Sequence, residues 1–338
     1  MVKHPSAAVL LTCALTAATA GQASAEEFKA RQVTIVVGYG AGGGYDTATR
    51  LVARHMSKHL PGNPSVVVQN QPGAGGLTAA NVLYNNGAKD GSQLGMFASS
   101  VPLEPLMGND KARFDPAKWN YIGNVNRDAL SCVVWHQTGI KTWEDAVKKG
   151  ATFGATGPSA GTAQHAFYMK NMLKAPFKII LGFKGTKAIN LAMRRGEIDG
   201  SCGMFLSSAT GPYRSDFEKG EVIPIIQFGK KNEPFFRNAK NVYSLLTNED
   251  DRKVTEFIFE AAAVTRPIMG PPGIPASIIA TLRDAFDKTV SDPAYIADAK
   301  KMGMTLYPMS GKETQAAYDG YRKTPKRLLE KAKEVLRE

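Results

Sequence analysis

Three short motifs in this sequence have residue types and spacings that could do chemistry. Gly38, Gly40 and Gly43 spell G-x-G-x-x-G after a β-branched run and before a helical pattern, where a dinucleotide's pyrophosphate could rest on a helix N-terminus. That use also requires an acid about 20 residues on to hold the ribose hydroxyls. No Asp or Glu occurs between Asp46 and Asp90, so no nicotinamide or flavin cofactor is expected. Gly157-Pro158-Ser159-Ala160-Gly161 spells the G-x-S-x-G elbow of a serine hydrolase. Its triad runs nucleophile, acid, histidine, and the single histidine after Ser159 is His165, too near in sequence to follow an intervening acid strand. An exported serine hydrolase using Ser159 is therefore the rival reading; a glycine turn offering a hydroxyl to a ligand or a helix cap is the leading one. His55 and His59 share a helix face at i, i+4 but lack the glutamate of a zinc protease between them. No metal site is expected.

What these exclusions leave is a pair of glycine-rich loops, residues 38–46 and 70–76. Glycines let a backbone approach a ligand closely with its N–H groups exposed. A helix N-terminus carries partial positive charge, so such a loop can hold a carboxylate without burying a lysine or arginine. A third loop, 156–162, adds hydroxyls.

The flanking patterns say which elements position these loops. Residues 33–37 form an unbroken β-branched run suited to a strand buried on both faces. Ala48, Leu51, Val52, Met56 and Leu60 then recur at helical spacing. Strand 66–68, loop, and helix 77–84 repeat the unit, and strand 93–98 follows. A second series has strands at 131–135, 152–155, 179–181 and 222–228, with helices at 143–149, 162–174 and 186–195. Alternation of this kind implies α/β lobes with mostly parallel sheets flanked by helices. A strand-like stretch runs from 261 to Gly270, and Pro275 starts a helix with Ile278, Ile279, Leu282, Phe286 and Val290 on its apolar face. This segment has no strand neighbour of its own and is expected to return to the first lobe. The division expected is a first lobe of residues 26–128 and 251–338 and a second of 129–250.

At 338 residues the chain exceeds what one core usually serves, which agrees with two lobes. Residues 1–25 have a basic start, an apolar middle and Ala23-Ser24-Ala25 before Glu26, the three parts of a cleavable signal peptide. Cleavage leaves 41 basic and 30 acidic residues, a formal charge of +11. For an exported chain this favours small acids or anionic surfaces over nucleic acid. The basic tail, 322–338, carries Leu328, Leu329, Ala332 and Leu336 at helical spacing and reads as a solvated helix. Two cysteines remain, Cys132 and Cys202; an exported chain permits a disulfide between them, and two buried thiols are the alternative.

The stretch 33–98, with A-G-G-G-x-D at 41–46 and N-x-P-G-A-G-G at 70–76, resembles the solute receptors of tripartite tricarboxylate transporters, the Bug receptors. Gly182-Phe183-Lys184-Gly185 is similar to the family's Y-K-G segment, Gly196-Glu197-Ile198-Asp199 to its G-E-x-D segment, and 270–275 to its late G-x-x-x-P region. The resemblance implies a periplasmic two-lobed binding protein of type II, monomeric and not an enzyme. Such a receptor closes on a small organic acid and delivers it to membrane permease subunits. Carried over by position, the ligand-binding residues would be Ala41, Gly42, Gly43, Tyr45 and Asp46; Gly73, Ala74 and Gly75; Ser99 and Ser100; Ser159, Gly161 and Thr162; and Phe183 and Lys184. The sequence departs from the family at Gln69 and Gln71, beside Asn70, and lacks prolines around Tyr39. A di- or tricarboxylate or acidic amino acid would need a second anion partner such as Lys184. An aromatic acid would need a flat slot lined by Tyr45 or Phe205.

Overall fold

The computed structural model describes residues 1–2, 27–236 and 238–338; apart from its first two residues, the predicted signal peptide lies outside the described residues. β1 (Gln32–Val37) leads through a glycine loop into α1 (Gly44–Met56), and β2 (Ser65–Asn70) through a second into α2 (Leu77–Asn86). β3 (Gln93–Met96) and β4 (Asn120–Asn124) follow. The next series is β5 (Leu130–Trp135), α3 (Trp143–Lys149), β6 (Thr152–Gly154), α4 (Gly161–Asn171), β7 (Lys178–Ile180) and α5 (Thr186–Arg194). It continues with β8 (Gly200–Phe205), α6 (Leu206–Ala209), α7 (Arg214–Glu218), β9 (Val222–Gln227) and β10 (Lys240–Asn241). After α8 (Glu249–Ala263) come β11 (Pro267–Gly270), α9 (Ala276–Ser291), α10 (Pro293–Lys301), β12 (Met309–Ser310), α11 (Gly311–Tyr321) and α12 (Lys326–Val335).

These strands form two sheets, ordered β12-β4-β11-β3-β1-β2 and β10-β9-β5-β8-β6-β7. β1 pairs in parallel with β2 and β3, and β6 with β7 and β8. Each sheet takes in an antiparallel strand that follows a crossing, β5 between β8 and β9 and β11 between β3 and β4, and the first sheet adds β12, antiparallel to β4 at its edge. The two crossings, residues 125–129 and 264–266, lie side by side, joined by an antiparallel bridge between Arg127 and Val264.

The expected strand from 261 begins later than the sequence suggested. Residues 261–263 finish α8, since an alanine run favours helix, and the strand starts only at Pro267. Strands β4 and β8 were not anticipated. β8 reads Gly-Ser-Cys-Gly-Met-Phe and is buried along its whole length, so neither alternation nor a β-branched run marks it.

On the first sheet, α1 lays Ala48, Leu51, Val52 and Met56 against Val33, Ile35 and Leu94, all fully buried. Each such Leu or Val contributes about 1.5–3 kcal/mol. The second sheet has its own core, in which Phe153, Tyr168 and Phe228 meet Ile258 and Phe259 of α8 and Ala332 and Val335 of α12. Thus α8 and α12, although late in the chain, pack in the second sheet's layer. The basic face of α12 is held outward by Arg327 to Asp250 and Lys331 to Asp251 ion pairs. Cys132 on β5 and Cys202 on β8 are joined in a disulfide between neighbouring strands, 70 residues apart in sequence. Among the described residues no helix is long and apolar enough to cross a membrane.

Candidate functional site

Three helices start at the line where the two sheets' layers meet, and none of them has a side-chain cap: α1 at Gly43, α4 at Ala160 and α5 at Gly185. Elsewhere α3, α8, α10 and α11 begin at Thr142, Asn248, Asp292 and Ser310, whose side chains accept from the first-turn amides, while α2, α6, α7, α9 and α12 also start without a side-chain cap. In α1 the first bond back into the loop is Thr47 N–H to Gly43 O at 2.9 Å, leaving the amides of Gly44, Tyr45 and Asp46 without a backbone partner. In α5 the first such bonds are made by Ala188 and Ile189 to Gly185 O, leaving those of Thr186 and Lys187. All three helix starts border one cavity, through Gly43, Gly44 and Tyr45, through Ala160, Gly161 and Thr162, and through Thr186. Tyr39, Met204, Phe205, Ser208 and Tyr213 complete its wall.

A second cavity abuts the first, sharing Tyr45, Ala98, Gly161 and Phe205 with it. It is lined further by Ser99, Ser100, Gln164 and His165 and by the apolar Leu103, Met107, Phe257, Ile258, Ala261 and Leu336. Each encloses about 40 Å³, room for roughly three water molecules, so the lobes stand nearly shut. The divider is aromatic: Tyr39 stacks on Tyr45 at 4.7 Å, and Tyr45 meets Phe205 edge-on at 6.2 Å. Burial pushes the Tyr39 and Tyr45 hydroxyls up, keeping both neutral; Arg266 pulls in the other direction at Tyr45.

The expected ligand residues separate into two sets. Gly43, Tyr45, Ser99, Ser100, Gly161 and Thr162 stand in the cavity walls. Ala41, Gly42, Asp46, Gly73, Ala74, Gly75, Ser159, Phe183 and Lys184 do not line either one. Asp46 is buried behind the loops, with Oδ2 accepting from Gly42 N–H at 2.8 Å and Oδ1 from Asn70 Nδ2 at 2.9 Å, and Arg50 clasps the same carboxylate. Burial opposes its ionisation, but these donors prevail and hold its carboxyl below the usual aspartate range. Asn70 also donates to Tyr39 O at 2.9 Å. Asp46 thus fastens the first glycine loop to the end of β2.

The second glycine loop meets the opposite lobe backbone to backbone. Gly75 has φ +71, and a Cβ there would lie 2.8 Å from Ala160 N; a Cβ on Gly157 would collide with Gly75 N. Gly40 N–H donates to Lys184 O at 2.7 Å across the lobes, and Ser100 Oγ to Ser159 O at 2.7 Å. Gln164 Nε2 donates to Glu104 Oε1 at 2.8 Å, and Asn109 holds the other oxygen. Lys184 therefore contributes its carbonyl to closure, while Phe183 packs into the second lobe's apolar cluster.

Ser159 is fully buried, and its hydroxyl lies 3.4 Å from Asn109 Nδ2. His165 packs at a tilt against Phe228 and Phe259, its Nδ1 has no hydrogen-bond partner among the described residues, and burial lowers its pKa to about 3. A triad base needs an acid on that nitrogen. His55 and His59 face different carboxylates, Asp298 and Asp292, each at 3.0 Å.

Comparison with known proteins agrees with this architecture. A family model described as "Tripartite tricarboxylate transporter family receptor" matches residues 48–186. A protein described as "UPF0065 protein in gbd 5'region" of Cupriavidus necator is 28% identical over 308 residues, spanning 88% of this chain and 86% of its own. Over residues 48–186 the chain is thus similar to the receptors of tripartite tricarboxylate transporters. Among solved structures, the periplasmic binding protein BugD superposes with a TM-score of 0.72 at 18% identity, covering 90% of this chain and 98% of its own. MatC from Rhodopseudomonas palustris, solved with bound malate, gives 0.68 at 16%, covering 88% and 98%. The fold is that of two-lobed periplasmic binding proteins. The proteins it resembles are described as a transporter receptor and a periplasmic binding protein, not as enzymes.

Residue types alone did not single out Thr186, Met204, Ser208 or Tyr213. Thr186 had one available signal, a hydroxyl residue directly after Gly185 at a helix start.

Proposed function

We propose that this receptor captures a small carboxylate between its lobes and delivers it to the membrane subunits of a tripartite tricarboxylate transporter. The observation that carries the reading is the convergence of three uncapped helix N-termini on one cavity whose wall, among the described residues, holds no charged side chain. Aligned amides and helix dipoles favour an anion there, and a carboxylate accepts several charge-assisted hydrogen bonds at once. In this reading Gly43, Tyr45, Gly161 and Thr162 touch the ligand, with Ser99 and Ser100 beyond the aromatic divider. Ala41, Gly42, Asp46, Gly73, Ala74, Gly75, Ser159, Phe183 and Lys184 shape the two jaws and let them meet. The receptor acts as an exported monomer, its lobes swinging about residues 125–129 and 264–266, with α8 and α12 moving with the second lobe. A thermal-shift screen of the purified protein against organic acids and their neutral amides tests it. A bound acid at a hundredfold its Kd adds about 2.7 kcal/mol and its amide does not. Equal stabilisation by the amides would remove the carboxylate grip.

A further inference from the structure

Among the described residues neither cavity has a charged side chain in its wall, yet they differ in what they offer. The first has the three helix starts. The second has a wall dominated by Leu103, Met107, Phe257, Ile258 and Leu336. The cations near these walls do not line them. Arg266, fully buried below Phe205, is paired with Asp128 at 3.0 Å. Arg337 faces Glu104 at 3.7 Å, and Lys184 turns its carbonyl to Gly40. An ionised group entering the second cavity would therefore meet no counter-charge in a low-dielectric space, a large penalty for an unpaired anion. His165, 3% exposed, lines this cavity, and among the described residues its Nδ1 has no hydrogen-bond partner; as a neutral imidazole it can exchange one hydrogen bond with a hydroxyl or carbonyl.

We infer that the ligand is a monocarboxylate whose acid group sits at the starts of α1, α4 and α5, and whose apolar body passes Tyr45 and Phe205 into the second cavity, ending in a neutral hydrogen-bonding group near His165. The flat Tyr39–Tyr45 stack and the edge of Phe205 suit an aromatic ring or an extended chain between the two ends. This inference rests on the carboxylate reading above and names the ligand class for the same site. It sets this chain apart from a receptor for diacids, which would need a cation at the far end.

Isothermal titration of the purified protein decides it, with phenylacetate, 4-hydroxyphenylacetate, hexanoate and 6-hydroxyhexanoate set against succinate, malate and adipate, and with 4-hydroxyphenylacetamide as the neutral control. The expected result is that at least one monoacid binds about tenfold or more tighter than every diacid, because the second carboxylate is unpaired. A diacid that binds tighter than all four monoacids overturns the inference and leaves the carboxylate reading standing. An amide that binds as well as its acid overturns both. Binding by none of the four monoacids overturns the inference. Two variants sharpen the test. Met107→Lys puts a cation into the second cavity and should shift preference toward adipate. His165→Phe should erase the advantage of the hydroxylated acids while leaving phenylacetate or hexanoate bound; unchanged discrimination between hydroxylated and plain acids in that variant removes His165 from the proposal. Should either variant fail to fold, the wild-type panel still decides between monoacid and diacid.

Discussion

Asp46 shows what residue types and spacing can and cannot convey. The A-G-G-G-x-D pattern marked the loop, yet the side chain points behind it, where Gly42, Asn70 and Arg50 donate to its two oxygens. Spacing identifies the loop a residue belongs to; the direction of the side chain depends on Asn70, which arrives from another strand. The consequence is a positioning role. Asp46→Ala removes the acceptor of the Gly42 amide and one of the two acceptors of the Asn70 side-chain amide, and we expect a stability loss of about 1–3 kcal/mol together with weaker ligand binding. Because the folded-state pKa is lowered, the carboxylate's contribution is present above the ordinary aspartate range and is lost as pH falls through the lower folded value. Urea melts at several pH values should therefore show a smaller acid-side loss for Asp46→Asn than for the wild type. Parallel curves for the two proteins would show that the loop is held without this charge.

At the scale of elements, strongly periodic or β-branched segments were legible: β1, α1, α3 and α5 fall where the apolar spacing placed them. β4 and β8 were not, since short strands buried on both faces and interrupted by glycine have no period to read. The loops were legible as glycine-rich, but their division of labour was not. The first borders the cavity at Gly43, whereas the second touches the opposite lobe through Gly75. That contact is steric, and it predicts a specific failure. Gly75→Val places a β-branched residue at φ +71 and sets its Cβ against Ala160 N, a strain of about 1–3 kcal/mol in the closed form above all. The variant should fold, bind its ligand at least roughly tenfold more weakly, which is about 1.4 kcal/mol, and show less compaction on binding by small-angle scattering. Wild-type affinity in a folded Gly75→Val protein would mean that the lobes do not close through this loop.

On the scale of the whole molecule, the two lobes were legible from the repeated alternation of strand and helix, but their junction was not, because it is made by residues far apart in sequence. Arg266 ends the return crossing and Asp128 lies one residue before the end of the outward one, 138 positions away. Nothing in either neighbourhood announces a pair. In the structure both are buried, Arg266 reaches Ser207 and Ser208 at α6 of the second lobe, and Asp128 also accepts from Ser207 N at 3.0 Å. The pair thus ties the two crossings to each other and to the second lobe, directly beneath Gly44, where an added Cβ would lie 3.2 Å from Arg266 Nη2. A buried ion pair is weak ground for net stability, since desolvation offsets much of its attraction, but removing one partner strands the other. We therefore expect Arg266→Met to cost about 3–5 kcal/mol, and the double variant Arg266→Met with Asp128→Leu to recover much of that loss. Denaturant unfolding of the wild type, both single variants and the double variant closes the cycle. A cost near the roughly 0.5 kcal/mol of an ordinary surface change in Arg266→Met, or a double variant no better than the worse single one, would show that the crossings are held together by backbone pairing at Arg127 and Val264 and not by this charge pair.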